Sequence, residues 1–277
     1  MIRDVNFDGF DAVELSTSAF RAVLVYEIGP RIAFFGKTNG ENLLYWNRNK
    51  VTRNEWKLYG GHRVWLTRPM ADEAEDTYLS DNARCALEIS GAKVTTTSPA
   101  HPVNCLERGM ELEIVSESCL RVRNFISNRG SLIYSGGVWS PTCVVPDGRQ
   151  IIIPLGDDNA SWDVVRVVIP RVFAGNSTTL EDNQAVFTGN DLVVTPTGRV
   201  LKRCCSAPKG KVLLKCDGYI FEKYSPYDKL LRYPFDGCNV ACFVGKDNFM
   251  AELETFGGES DIPPGKTIEN TEYWSVI

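Results

Sequence analysis

Alternation of apolar and polar residues with a period of two constrains this chain more than any other feature. Met110 to Val115 sets Met110, Leu112 and Ile114 against Glu111, Glu113 and Val115. Leu120 to Ile126 sets Leu120, Val122, Asn124 and Ile126 against Arg121, Arg123 and Phe125. Successive side chains leave opposite faces of a strand, so these runs predict half-buried strands. Phe20 to Tyr26 is apolar on both sides and predicts a strand buried on both faces. Further strands are expected at Arg31–Lys37, Asn42–Trp46, Cys85–Ile89, Lys93–Thr97, Gln150–Pro154, Val164–Ile169, Val212–Cys216, Tyr219–Tyr224 and Phe249–Phe256. Turn signals separate them: Asn39-Gly40, Ser90-Gly91, Asn128-Arg129-Gly130, Pro146-Asp147-Gly148, Gly189-Asn190-Asp191 and Lys246-Asp247-Asn248. No convincing helical window exceeds two turns, and valine outnumbers alanine 26 to 16.

More than a dozen strands at short spacing imply an all-β fold, a large antiparallel β-sandwich or barrel. There is no Pro/Gly/Ser linker and no fixed-period repeat, so residues 1–277 are expected to form one domain. A chain of 277 residues buries roughly three-quarters of its unfolded surface, so no disulfide or metal staple is needed. The nine cysteines are odd in number and mostly isolated, as reduced thiols would be. Acids in Met1 to Asp8 stand where a signal peptide would carry an apolar run, and no apolar stretch approaches the roughly 18 residues of a membrane span. A cytoplasmic location is expected. The net charge is −5 with no Lys/Arg block, so neither nucleic acid nor a membrane is an expected partner.

Tyr59-Gly60-Gly61-His62-Arg63-Val64-Trp65 is the densest unusual cluster. Two glycines admit close backbone approach, while His62, Arg63 and Trp65 offer an imidazole, a planar donor fork and a flat apolar face. That combination suits a polyhydroxylated ring, and equally a strand start with a structural ion pair. Glu252 and Glu254 share one face of the strand Met250 to Phe256, about 7 Å apart, as a solvated face would also have them. His101 lies in an expected loop. Cys238 and Cys242, like His101 and Cys105, are four residues apart, but neither pair recurs at zinc-site spacing, so no metal is expected. Cys204-Cys205 directs two thiols to opposite strand faces. The nucleotide, lipase and zinc-protease motifs are missing, and no cofactor is implied.

The order of several short motifs resembles the aldose 1-epimerase (galactose mutarotase)-like superfamily, in a divergent branch. Gly29-Pro30-Arg31-Ile32 is similar to its early "G-x-R-I" strand, Gly40-Glu41-Asn42-Leu43-Leu44 to "G-x-N-L-L", and Gly60 to Trp65 to "GGHRLW". Later, Tyr233-Pro234-Phe235-Asp236-Gly237-Cys238-Asn239 looks like a "YP-D-G-CN" segment. Leu253-Glu254-Thr255, Pro264-Gly265-Lys266 and Glu272-Tyr273-Trp274 resemble the "L-E-T … P-G-E" ending. The resemblance implies a β-supersandwich with a carbohydrate groove on one face and Arg63 as a substrate-binding residue. It also implies Glu254 as the base that removes the anomeric proton while a histidine protonates the ring oxygen. Trp139 stands where that histidine is expected, and indole is no general acid. His62 becomes the candidate acid.

Three readings follow. The first is a carbohydrate-active enzyme, most simply an aldose 1-epimerase-type isomerase, with Glu254 and His62 converging on one sugar or sugar acid. The second is a non-catalytic carbohydrate-binding or sensing protein using Arg63, Trp139 and Glu254. The third is an interaction protein whose groove is filled by side chains. Lys223, Asp81 with Asn82, and Tyr233 are further candidate groove residues, Lys223 for an anionic sugar.

Overall fold

The computed structural model describes residues 1–53, 56–68, 75–156, 167–170 and 182–277. The alternating runs become strands: β1 (Ile2–Phe7), β2 (Phe10–Ser16), β3 (Phe20–Val25), β4 (Arg31–Lys37), β5 (Trp46–Arg53), β6 (Trp56–Gly60), β7 (Trp65–Leu66) and β8 (Ala86–Ser90). They continue as β9 (Lys93–Thr97), β10 (Leu106–Ser116), β11 (Cys119–Asn128), β12 (Tyr134–Gly136), β13 (Val138–Val144), β14 (Gln150–Pro154), β15 (Val168–Pro170) and β16 (Ala185–Thr188). The last are β17 (Asp191–Val194), β18 (Leu201–Cys205), β19 (Lys211–Cys216), β20 (Tyr219–Tyr224), β21 (Val240–Val244), β22 (Ala251–Phe256), β23 (Ser260–Ile262) and β24 (Thr267–Val276). Pro234–Gly237 forms a single tight turn in which Phe235 and Asp236 hold left-handed backbone, at φ 52° and 58°. No helix among the described residues is long and apolar enough to cross a membrane.

Two sheets make the sandwich. One has ten strands in the order β16-β17-β14-β19-β20-β24-β11-β10-β9-β8, the other six in the order β15-β18-β21-β22-β13-β7. A four-stranded meander, β1-β2-β3-β4, extends the second layer. All strand pairings in the two large sheets are antiparallel. The main core lies between the layers and draws Leu112, Val122, Ile126 and Trp274 from the ten-stranded sheet and Val138, Val144, Cys242 and Leu253 from the other. Inward Leu120, Val122, Asn124 and Ile126 are buried, as their alternation predicts. All nine cysteines are free thiols. Cys205 packs in the main core and Cys204 in a separate aromatic cluster, so the pair does straddle its strand.

One expectation needs correction. Residues 42–45 are a connection with an isolated bridge, Leu44 to Val144, rather than a strand. Asn42 diverts the backbone: its Oδ1 accepts from the N–H groups of Phe35 and Leu44, and its Nδ2 donates to the Ala33 carbonyl. The β1–β2 hairpin was not anticipated, although its two-residue turn is Asp8-Gly9, both with positive φ, the preferred chemistry for such a turn. Of the strand expected at Val164–Ile169, residues 164–166 lie outside the described residues, and β15 covers its end.

Glycine has a packing role at Gly109, which faces Phe125 across β10 and β11. A Cβ there would stand 1.9 Å from the tip of the Phe125 ring. Gly109→Ala is therefore expected to displace the ring and destabilise the fold by about 1–3 kcal/mol in urea unfolding. An unchanged midpoint would show that the ring swings aside freely.

Candidate functional site

The site begins with two glycines. Gly60 and Gly61 have φ of +97° and +69°, and a Cβ would lie 2.1 Å from the Tyr45 carbonyl oxygen at Gly60 and 2.3 Å from that of Ile32 at Gly61. Only glycine fits this approach. The chain then threads between β4 and β13, with His62 bridged to Ile32 on one side and Thr142 on the other. Because neighbours on an extended chain alternate, His62 enters the core between the sheets while Arg63 emerges on the opposite face.

Inside, His62 joins a closed ring of hydrogen bonds. Lys223 donates to Thr142 Oγ1 (2.6 Å), and Thr142 lies 2.7 Å from His62 Nδ1. His62 Nε2 meets Asn124 Oδ1 (2.9 Å), and Asn124 Nδ2 donates to Glu272 Oε2 (3.3 Å). The Lys223 ammonium, 3.0 Å from Glu272 Oε1, closes the loop. With Asn124 accepting at Nε2, the imidazole carries its proton there and accepts from the threonine at Nδ1. Burial pulls His62 down to about 4, so it is neutral. Burial likewise lowers Lys223, against the pull of Glu272. Burial alone would raise Glu272, but Lys223 and His62 hold its carboxyl below the usual range.

The outer face of the six-stranded sheet carries different chemistry. Arg63 pairs with Glu252 at 2.7 Å and lies over the Trp65 ring, 4.3 Å from its centroid. Cys143 donates to Glu252 Oε1 (3.4 Å), and burial pushes its thiol up to about 12, so it stays neutral. Glu254 accepts from Lys202 on both oxygens (2.5 and 2.6 Å) and from the Trp139 indole on Oε2 (2.9 Å). Trp139 meets Trp65 edge-on at 4.9 Å and stacks with Phe256, which in turn touches Phe235. Glu254, Arg63, Lys202 and Trp139 are all buried.

The expected residues therefore divide. Arg63, Trp139 and Glu254 share the outer face. His62 does not join them: it lies across the sheet, engaged with Thr142 and Asn124, because it precedes Arg63 by one residue on an extended chain. Lys223 is no groove residue either; Phe221 and Lys223 share the inward face of β20, and Lys223 Nζ also donates to the Ser140 and Leu253 carbonyls. Asp81 is a buried hub that accepts from Arg31, Trp56 and Trp65, and the three nearby arginines hold its carboxyl low despite burial. Asn82 accepts from the same Arg31 guanidinium and, with Asp81, lines a cavity of about 530 Å³. Tyr233 lines a second cavity, of about 440 Å³, with Phe235, Arg232 and Glu259. His101 lies on the first cavity's rim. Lys202 was not anticipated, because the run Leu201 to Cys205 carries no motif; it is buried with the rest of that strand. Among the described residues, no group of three or more His, Cys, Asp or Glu side chains is placed to hold a metal ion.

No protein-family model matches the sequence, and no curated protein is detectably similar to it. Solved structures are similar along the whole chain. An aldose 1-epimerase candidate from Escherichia coli superposes with a TM-score of 0.66 at 10% identity, over 95% of this chain and 98% of its own. A galactose mutarotase-like protein from Clostridium acetobutylicum gives 0.63 at 11% identity, over 100% and 98%. Another from Lactobacillus casei gives 0.62 at 11%, over 96% and 100%. The fold is the galactose mutarotase-like β-sandwich.

Two outcomes follow from the buried charges. His62 binds a proton more weakly folded than unfolded, so acid favours the unfolded chain. Stability should fall as pH drops from 6.5 towards 4, with His62 accounting for roughly 3 kcal/mol at the acid end. Urea midpoints measured across that range check this, and a flat profile would contradict it. On the other face, Lys202→Met leaves the Glu254 carboxylate buried without its ammonium, at a cost of about 3–5 kcal/mol. Pairing it with Glu254→Gln should recover much of the loss; additive losses would show that the two side chains do not depend on each other.

Proposed function

We propose that this protein binds a small carbohydrate on the outer face of its six-stranded sheet and does not turn it over through Glu254 and His62. The observation that carries this reading is the composition of that face. Trp65, Trp139, Phe256 and Phe235 form a contiguous aromatic wall beside two charged pairs, Arg63–Glu252 and Lys202–Glu254. Aromatic faces stack on the C–H faces of a sugar, and charged forks hydrogen-bond its hydroxyls. The likeness to mutarotase-related structures supports a carbohydrate ligand as a matter of fold. Phe235, at one end of this wall, lines the cavity of about 440 Å³ beside Tyr233, a volume within the roughly 300–1,000 Å³ of small-molecule sites.

Mutarotation needs a base for the anomeric hydroxyl and an acid for the ring oxygen, on either side of one sugar. Here the carboxylate of the base position receives three donor contacts, and His62 faces the other way. One observation favours a catalytic reading instead: Lys202 and Glu254 are themselves an acid and a base 2.5 Å apart. A sugar inserted between them would have both groups it needs.

Saturation-transfer NMR against a panel of aldoses and uronic acids, with anomeric exchange followed in the same samples, separates these readings. Saturation transfer with unaccelerated exchange, weakened in Trp139→Ala, is the expected result. Accelerated exchange that disappears in Glu254→Gln would establish the enzyme. Silence across the panel would overturn the carbohydrate reading.

A further inference from the structure

The aromatic wall is most open at the end away from Phe235. Trp65, Trp139 and Phe235 are buried, whereas Trp56 and Tyr78 are only half-buried. Trp56 opens strand β6, and Tyr78 closes the short 3-10 turn Glu75–Tyr78. Both rings pack on Trp65, at 6.1 and 5.3 Å, and on each other at 4.7 Å with planes 65° apart. The wall thus continues past Trp65 and ends at the cavity of about 530 Å³, which both rings line.

Asp81 fixes this end of the wall. Its Oδ1 accepts from the Trp65 indole (2.8 Å), and its Oδ2 from the Trp56 indole (2.9 Å) and from Arg31 (3.1 Å). One buried carboxylate therefore holds two rings through charge-assisted bonds. With its N–H engaged by Asp81, Trp56 has only apolar ring surface to offer a ligand. Asn82 is engaged at both ends of its amide, accepting from Arg31 (3.2 Å) and donating to the Lys57 carbonyl (3.0 Å). His101 differs. Its Nδ1 accepts the Val103 amide (3.2 Å), so the imidazole carries its proton at Nε2, which has no partner among the described residues. The Ser80 hydroxyl at the same cavity has none among them either.

We infer that this cavity is a subsite for a pyranose ring, its C–H face against Trp56 and Tyr78 and its hydroxyls paired with His101 and Ser80. A sugar meets both needs at once. A purely apolar ring would cover the platform but leave the imidazole N–H and the serine hydroxyl unpaired once water is expelled, which is costly. The volume lies within the roughly 300–1,000 Å³ of small-molecule sites, and prolines at 99 and 102 stiffen the loop that frames it. This inference rests on the carbohydrate reading above and places the ligand at the Trp56 end of the wall.

Titrating the aldoses and uronic acids of the panel, galactose first, into the intact ¹⁵N-labelled protein tests it. The Trp56 indole N–H resonance, identified by its loss in Trp56→Phe, is expected to shift as the sugar binds. Ala100, exposed and on the cavity lining, gives a variant that leaves the buried network alone. Ala100→Trp is expected to weaken binding by about tenfold or more with an unchanged thermal melt. Sugar binding that leaves the Trp56 resonance in place, or that Ala100→Trp does not affect, would overturn the subsite and leave the carbohydrate reading standing. Phenol shifting the same resonance with equal or higher affinity would overturn the assignment of the cavity to a sugar. No binding of any sugar in the panel would overturn both.

Discussion

The structure depends on one closed ring of buried hydrogen bonds running Lys223, Thr142, His62, Asn124, Glu272 and back to Lys223. Two of its members, Thr142 and His62, belong to the six-stranded layer, and three come from β20, β11 and β24 of the facing sheet. A buried ammonium and carboxylate add little to stability beyond what well-packed apolar residues would, since desolvation cancels much of their attraction. What the ring does supply is register. Apolar faces slide past each other at low cost, but this circuit closes only when five particular backbone positions on two sheets are opposite one another. Trp274 and Thr255 tighten it further by donating to the same Glu272.

That circuit also decides the chemistry available on the outer face. By holding His62 inward it fixes the phase of the bridging segment, and the phase turns Arg63 outward. The same alternation works along β22, where Thr255 donates inward to Glu272 while Glu252 and Glu254 face Arg63 and Lys202. One strand thus serves a structural network and a candidate ligand surface with consecutive residues. The outer pairs are short and buried, and they sit among aromatic rings rather than water. They are therefore rigid, oriented dipoles and charges.

Much of this was legible in the sequence, and the parts that were not share a cause. Strands β10 and β11 are readable because each alternates over at least six residues and is buried on one face. The hairpin β1–β2 was missed although its Asp8-Gly9 turn is a strong local signal. The motif Gly60 to Trp65 stands out in the sequence, but its His and Arg cannot be assigned to sides without knowing which neighbour the extended segment pairs with. Asn124 carried an unused clue: a polar residue in phase with Leu120, Val122 and Ile126 must find a partner in the core. Lys223, in phase with Phe221, carried the same one. Those partners lie up to 148 residues away, and no local pattern reports such pairings. Glu254 is singled out by motif resemblance alone, whereas Lys202, which pairs with it, lies in a segment with no motif at all.

The position of β24 has a consequence for the order in which the molecule can be made. It is hydrogen-bonded between β20 and β11, in the middle of the ten-stranded sheet, and it brings Glu272 and Trp274. Until residues 267–276 pair, that sheet exists only as two unjoined halves, β16 to β20 and β8 to β11, each with a raw edge facing the gap. The folding chain must therefore keep two open strand edges apart until β24 arrives between them. Closure of the sheet waits on one long-range pairing rather than on the speed of its hairpins.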